Sequence, residues 1–346
     1  MRKTAAKLLA VAAIATSLAT VATVAAGTAS ADPSVTPAAQ DIVSAGSDTT
    51  QAVSTRLSTD YNAYLTSIGD TTSPRYYSWD ATGSTNITLK SGASSIVRPN
   101  GSGAGITELN TSGSALDVAR SSRAPKSTDP ASDIFVAFAK DAVTWSANSG
   151  GHAPASLTAA QLKGIYDCSI TNWTQINASL TNATIKPWLP QASSGTRAFF
   201  LTAIGNPTVG SCVQDGPEEN EGVDTRLAGA DTVFPYSVAS YLSQTVGGHS
   251  TPTSAPGSLT LRNVGTLVPV NTTTNTINAP FAASAFGRVV YNVVRDAEWT
   301  ATNAHGTALR AIFGPSGWIC SNGTNDIKSY GFLPLPAAAC GSTTHS

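Results

Sequence analysis

The sequence predicts an α/β fold with mainly parallel sheets. Two observations carry this expectation: short apolar runs of strand length alternate with stretches of helical spacing, and turns of Gly, Ser, Thr and Pro separate them. A hydrophobic content of 41% in 346 residues is enough for two ordinary domains with real cores.

In chain order, "DIVSAG" (Asp41 to Gly46) reads as a short buried strand stopping at a glycine. The following "SDTTQAVSTRLSTDYNAYL" has Val53, Leu57, Tyr61, Tyr64 and Leu65 on one side of a helix, with Ser47 or Asp48 as its N-cap. "RYYSWDA" is a second strand, and in "RPNGSGAGITEL" a glycine-serine loop opens a second helix. "ALDVARSSRAP" is a short strand running into a doubly basic loop, and "IFVAFAKDAVTWSAN" reads as one or two buried strands. In "SLTAAQLKGIYDCSITNW", Thr158 and Gln161 have capping-box spacing before a short helix. "IKPWLP" is strand-like, "QASSG" is a turn, and "TRAFFLTAI" is helical. The Gly/Ser/Thr/Pro stretch from Gly247 to Ser258 is a loop.

Arg2, Lys3 and Lys7 precede an apolar, alanine-rich run that ends in "ASA" at Ala29 to Ala31, the pattern of a cleaved signal peptide. The mature chain then starts at Asp32, with no cysteine after the signal to carry a lipid anchor. Loss of residues 1–31 leaves 17 basic against 21 acidic residues, a formal charge of −4. Non-specific attraction to nucleic acid or to anionic membranes is not expected of such a chain. Four cysteines in an exported protein argue for two disulfides, and proximity pairs Cys168 with Cys212 and Cys320 with Cys340. With no CxxC and no nearby histidine, a zinc site is not indicated.

The recurrent unit is strand, small-residue turn, helix, and four such loops stand out: "GSDTT", "NGSGAG", "ARSSRAP" and "ASSGTR". In open α/β sheets ligands gather at the carboxyl ends of strands, where these turns lie. A helix N-terminus offers unpaired N–H groups and partial positive charge, and glycine lets an anion approach the backbone. A serine nucleophile would need a base, yet His152, His249, His305 and His345 fall in no known catalytic motif, and there is no G-x-S-x-G elbow. Glu218, Glu219 and Glu221 cluster in "GPEENEG", where a solvated acidic turn is the default.

The order "GSDTT", "NGSGAG", "DVARSSRAP", "LTAAQLKGIYDCSITNW", "SSGTR" resembles the PstS-type phosphate-binding solute receptors of ABC importers, members of the type II periplasmic-binding-protein fold. "QLKGIYDCSITNW", followed by "SSGT" about twenty residues later, is the most specific stretch. "APFAASAFGRVVYNVV" looks like the strand returning to the first lobe. The resemblance implies two α/β lobes, residues 32–138 plus 285–346 and residues 139–284, with an anion held in the cleft between them. It implies a ligand set of Ser47, Asp48 and Thr49 in the first loop, Ser102 in the second, Ser122 in the third, and Ser194, Gly195 and Thr196 in the fourth. The third loop lacks the family's aspartate, having Ser121-Ser122-Arg123, and Pro190 and Ala192 stand where the family has an arginine and an aspartate. Arg120, Arg123 and Arg197 are candidates to restore positive charge, and Asp48 is the one acidic residue in the four loops.

The expectation is a secreted, monomeric receptor without a cofactor. It would capture inorganic phosphate or a related oxyanion for an ABC permease, without covalent chemistry. A phosphate-ester hydrolase and an extracellular adhesive or structural protein on the same fold are the alternatives.

Overall fold

A computed structural model describes residues 32–345. The expected signal peptide at residues 1–31 lies outside the described residues. Among the described residues, no helix is long and apolar enough to cross a membrane.

The organising element is one strand of 16 residues, Asp133–Asn148, in which every residue except Lys140 is buried. Its nearly continuous apolar sequence is what a strand covered on both faces requires. Eight strands lie in the order Tyr76–Ser78, Ile42–Gly46, Val118–Ser121, Gly287–Arg295, Asp133–Asn148, Thr232–Ser237, Lys186–Leu189 and Gln214–Asp215. The outer strands pair in parallel, as expected. The centre does not: Gly287–Arg295 runs antiparallel to both of its neighbours, and Thr232–Ser237 runs antiparallel to Asp133–Asn148. The reason is topological, because a chain that crosses on one long strand and returns on another must lay the two in opposite directions.

The long strand changes partner in the middle. Gly287 and Arg288 stand opposite Ala142 and Asp141, and Ser237 stands opposite Val143. Residues before Asp141 therefore belong to the sheet that holds Ile42–Gly46, and residues after it to the sheet that holds Lys186–Leu189.

Helices α1 (Gln51–Ser67), α2 (Ser102–Leu109) and α4 (Gly195–Ala203) follow three of the four loops that the sequence singled out, while the third loop runs instead into the strand Asp133–Asn148; α3 (Ala159–Tyr166) follows the Thr158 cap and α5 (Val238–Thr245) follows the strand Thr232–Ser237. In α1, Val53, Leu57, Tyr61 and Leu65 are buried, but Tyr64 is 43% exposed and leans on Trp318. Position 64 falls within the same angular stripe, so the helical repeat places it as expected and only its exposure departs from the expectation. The N-cap of α1 is Thr50, with no side-chain cap, so neither Ser47 nor Asp48 serves that purpose. The capping box of Thr158 and Gln161 on α3 is formed. Helix α3 stops at Tyr166, and the buried Trp173 opens a separate 3-10 turn, with its indole N–H donating to Asp231.

Both disulfides pair as the sequence spacing suggested, Cys168 with Cys212 and Cys320 with Cys340. The first ties the end of α3 to the segment that follows α4. Replacing Cys168 and Cys212 by serine is expected to lower stability by about 2–4 kcal/mol, because the unfolded chain regains loop entropy. Urea unfolding under non-reducing conditions checks this, and an unchanged midpoint would contradict it.

Candidate functional site

The four small-residue loops meet at one place, at the carboxyl ends of their strands. Loop two touches loop three through Ser102 and Ser122: the Ser122 N–H donates to Ser102 Oγ at 3.0 Å, and the hydroxyls lie 3.3 Å apart. Loop two touches loop four through Gly103 N–H, which donates to the Ser193 carbonyl at 3.0 Å. Gly195 is required for the closeness of this contact, since a Cβ there would overlap the hydroxyls of both Ser102 and Ser122. Loop one touches loop four through the hydroxyls of Thr49 and Thr196, 3.0 Å apart. Ser47, Thr49, Ser102, Ser122, Ser194 and Thr196 are all buried.

A carboxylate sits among these donors. Glu219, fully buried, accepts from the Ser194 hydroxyl, from Thr196 N–H at 3.2 Å and from Thr49 N–H at 3.2 Å. The acidic loop is thus folded inward at Glu219, which corrects the solvated turn that its composition suggested. Its own backbone N–H donates to Gln191 Oε1 at 3.0 Å. Ser194 keeps its capping role as well, since its Oγ accepts from Arg197 N–H at 2.9 Å. One hydroxyl thus both caps α4 and donates to a buried carboxylate.

The next residue fixes Glu219 in place. Asn220 has a left-handed backbone, φ 62°, a conformation asparagine tolerates better than most residues. Its side-chain amide donates to Asp48 Oδ1 at 3.3 Å and to Thr49 Oγ1 at 3.2 Å, and its Oδ1 accepts from Ser237 N–H at 3.1 Å. Its carbonyl accepts from the Tyr236 hydroxyl at 2.6 Å and from Gln244 at 2.8 Å.

Besides Arg120 of the third loop, whose Nη2 is buried without a hydrogen-bond partner among the described residues, a buried positive charge comes from Arg288, on the return strand. The Arg288 Nε and Nη2 donate to Asp141 Oδ2 at 2.9 and 2.7 Å, and Nη2 also reaches Thr196 Oγ1 at 3.0 Å. Asp141 is itself completed by the Ser237 hydroxyl at 2.8 Å and by Ala239 N–H at 3.0 Å in the first turn of α5. Arg288 Nη1 is buried without a hydrogen-bond partner among the described residues, as is Ser47 Oγ. The loop arginines bond elsewhere. Arg123 pairs with Asp129 at 2.6 Å, and Arg197 pairs with Asp215 and the Pro190 carbonyl. Arg120 is fully buried and donates to Ser78 Oγ and to the carbonyls of Ser47 and Trp79.

Asp48 lies at the edge of this cluster, buried, beside a small cavity of about 40 Å³ that Thr49, Asn220, Gln244 and His249 also line. Burial, and then the Glu219 and Glu221 carboxylates, push its carboxyl well above the usual carboxylate range. Burial likewise pushes Glu221 up to about 7, with Glu218 and Asp224 adding to it. Sequence reasoning missed Glu219, Asn220, Asp141 and Arg288 as site residues. The local signal available was Arg288 itself, the one basic residue in the otherwise apolar return strand before Arg295.

Comparisons place this arrangement among known folds. A family model described as a PBP superfamily domain matches residues 14–283. The structure is similar to an ABC-type phosphate transport receptor from Vibrio cholerae, with a TM-score of 0.56 and 19% identity, over 86% of this chain and 100% of that one. It is similar to the same degree, at 17% identity and with the same coverage and a TM-score of 0.56, to a substrate-binding protein assigned to a phosphate ABC transporter, with bound phosphate, from Clostridium perfringens. At these identities the likeness is one of fold, and it bears out the two-lobe α/β architecture. No curated protein is a significant match to the sequence.

Two outcomes are expected from the site's electrostatics. Arg288→Met leaves Asp141 buried and unpaired, which is expected to cost about 3–5 kcal/mol, and adding Asp141→Leu should recover part of that loss. Equal stability of the single and double variants in urea would contradict the pairing. Glu221 binds its proton more tightly folded than unfolded, so its contribution is complete below the ordinary carboxylate range and is lost as pH rises through about 7. The melting temperature is expected to fall between about pH 5 and pH 8 and to fall less in Glu221→Gln. An identical slope in the variant would rule out this source.

Proposed function

We propose that this chain, which belongs to the PBP superfamily, is a solute receptor that captures an inorganic oxyanion, phosphate, by hydrogen bonding. Its lobes are residues 32–138 plus 285–346 and residues 139–284. The observation that carries this reading is the cradle of donors around Glu219. The N–H groups of Thr49 and Thr196 and the hydroxyl of Ser194 already hold a fully buried carboxylate. A site that holds one buried anion by uncharged donors has the chemistry to hold another. Arg288 Nη1 and Ser47 Oγ, both buried and unpartnered, add donor capacity beside it.

The receptors of known fold with which the chain compares are described as phosphate transport proteins. A receptor of this kind delivers its anion to an ABC permease, acts outside the cytoplasm after signal-peptide cleavage, and works as a monomer. No covalent step is included in the proposal. Ser194 has as its hydrogen-bond acceptor a carboxylate that two N–H groups also bind, and not a histidine. The histidines are engaged away from the serine: His152 bonds Asp231, and His249 stacks on Tyr330.

Thr196→Val and Ser194→Ala are each expected to weaken phosphate binding by about 1.5–3 kcal/mol, the contribution of a hydrogen bond to a charged group. Calorimetric titration with phosphate, arsenate and sulfate is the test, and unchanged affinity in both variants would remove the fourth loop from the site. Selectivity follows from Asp48 in its ionised form, whose carboxylate can accept from the proton that phosphate carries and sulfate lacks. Wild-type preference for phosphate is expected to collapse in Asp48→Asn, whereas preserved selectivity would assign discrimination to another residue.

A further inference from the structure

Resting on the oxyanion-receptor reading, we infer that Glu219 is an internal competitor for the bound anion. Its carboxylate and an incoming oxyanion use the same donors, so the anion must displace it, and Glu219 with its Asn220 latch sets the affinity of the site.

The donors around Glu219 come from two loops that are far apart in sequence. Thr49 N–H reaches one carboxylate oxygen, and Thr196 N–H and the Ser194 hydroxyl reach the other. Each of these groups was singled out by the sequence as an anion donor, and each is spent on Glu219. A tetrahedral oxyanion presents pairs of oxygens much as a carboxylate does, so one can replace the other on these groups. Both cannot be present as anions. Like charges in a dry site repel strongly, and the buried Asp48 carboxyl already stands against Glu219.

A purely structural carboxylate would be expected to use the nearest cation. Glu219 instead takes three uncharged donors, while Arg288 Nη1 is left buried and unpartnered. Arg288 is not distant, because its Nη2 donates to Thr196 Oγ1 at 3.0 Å. Ser47 Oγ is likewise buried and unpartnered. The cradle therefore holds more donor capacity than the two oxygens of Glu219 take up, a surplus suited to an ion with four oxygens and greater charge.

The segment that carries Glu219 runs between two glycines. It is bounded by Gly216, whose φ of 115° is open to glycine alone among ordinary residues, and by Gly222. Between them, Asn220 holds the inward position through bonds to Asp48, Thr49 and Ser237. A second contact lies on the other side, where Asn100 donates to Glu218 Oε2 at 2.9 Å. Displacing Glu219 means exchanging these neutral hydrogen bonds and three charge-assisted ones for those made by the anion.

The apparent dissociation constant of a site that is open for only a fraction of the time is the intrinsic constant divided by that fraction. A cradle that Glu219 fills nine-tenths of the time or more loses about tenfold or more in apparent affinity. Glu219→Ala removes the competitor. Glu219→Gln removes its charge and keeps one oxygen, which can accept on one side of the cradle only, from Thr49 N–H or from Thr196 N–H and the Ser194 hydroxyl, and it serves if the alanine variant does not fold. Glu221→Ala changes the same loop outside the cradle and is the control.

The experiment is calorimetric titration of the mature wild type and the three variants with inorganic phosphate, with melting temperatures recorded with and without millimolar phosphate. Glu219→Ala is expected to bind phosphate about tenfold or more tightly than wild type, Glu219→Gln to show a smaller gain, and Glu221→Ala, which removes a nearby charge but no competitor, to gain less than either. Phosphate should also raise the melting temperature of Glu219→Ala more than that of wild type, because the anion supplies what the side chain no longer does. If wild type binds phosphate and both Glu219 variants bind equally or more weakly, the competition is overturned while the receptor reading stands. If no protein binds phosphate, arsenate or sulfate although circular dichroism shows all of them folded, the receptor reading fails and the competition falls with it.

Discussion

The buried ion pair of Asp141 and Arg288 is the constraint around which the site is arranged. The two residues face each other on the long strand and the return strand, at the point where the long strand exchanges one partner for another. Charges buried this deeply are tolerated only when hydrogen bonds complete them. Asp141 is completed by Ser237 and by the first turn of α5, and Arg288 by Thr196. The strands that cross between the two halves of the sheet, the return segment, α5 and the fourth loop are thereby held to one guanidinium. Its remaining nitrogen is buried beside the cradle with no hydrogen-bond partner among the described residues.

From that fixed point the cradle is a matter of small side chains. The closeness of the loops depends on Gly195, where a Cβ would meet two hydroxyls at once, and on serine and threonine, whose hydroxyls both give and take hydrogen bonds. Long charged side chains at the same positions would hold the loops apart. The scarcity of charged residues in the composition, 12%, thus has a local counterpart in loops that must pack against one another.

The fold and the four loops were legible in the sequence because their signals are local. Strand length, the capping box at Thr158 and Gln161, and glycine followed by hydroxyl residues before a helix all act within a few residues. The disulfides followed from proximity. What the sequence did not reveal is non-local. Glu219 sits in a run of Gly, Pro, Glu and Asn with the composition of an exposed turn, and only the N–H groups of Thr49 and Thr196 distinguish it, at separations of 170 and 23 residues. Arg288 likewise owes its function to Asp141, 147 residues away. The bonds of the loop arginines were hidden for the complementary reason, since a motif fixes where a backbone lies but not where a long side chain finds its acceptor. Arg123 finds Asp129, Arg197 finds Asp215, and Arg120 turns into the sheet.

The account's central claim is that the donors around Glu219 form an oxyanion cradle. A crystal structure of the mature protein grown with phosphate tests it most directly. The expected result is phosphate on the N–H groups of Thr49 and Thr196, the Ser194 hydroxyl and Arg288, with the Glu219 carboxylate withdrawn from them. Phosphate bound elsewhere, with Glu219 still on all three donors at saturating phosphate, would contradict it.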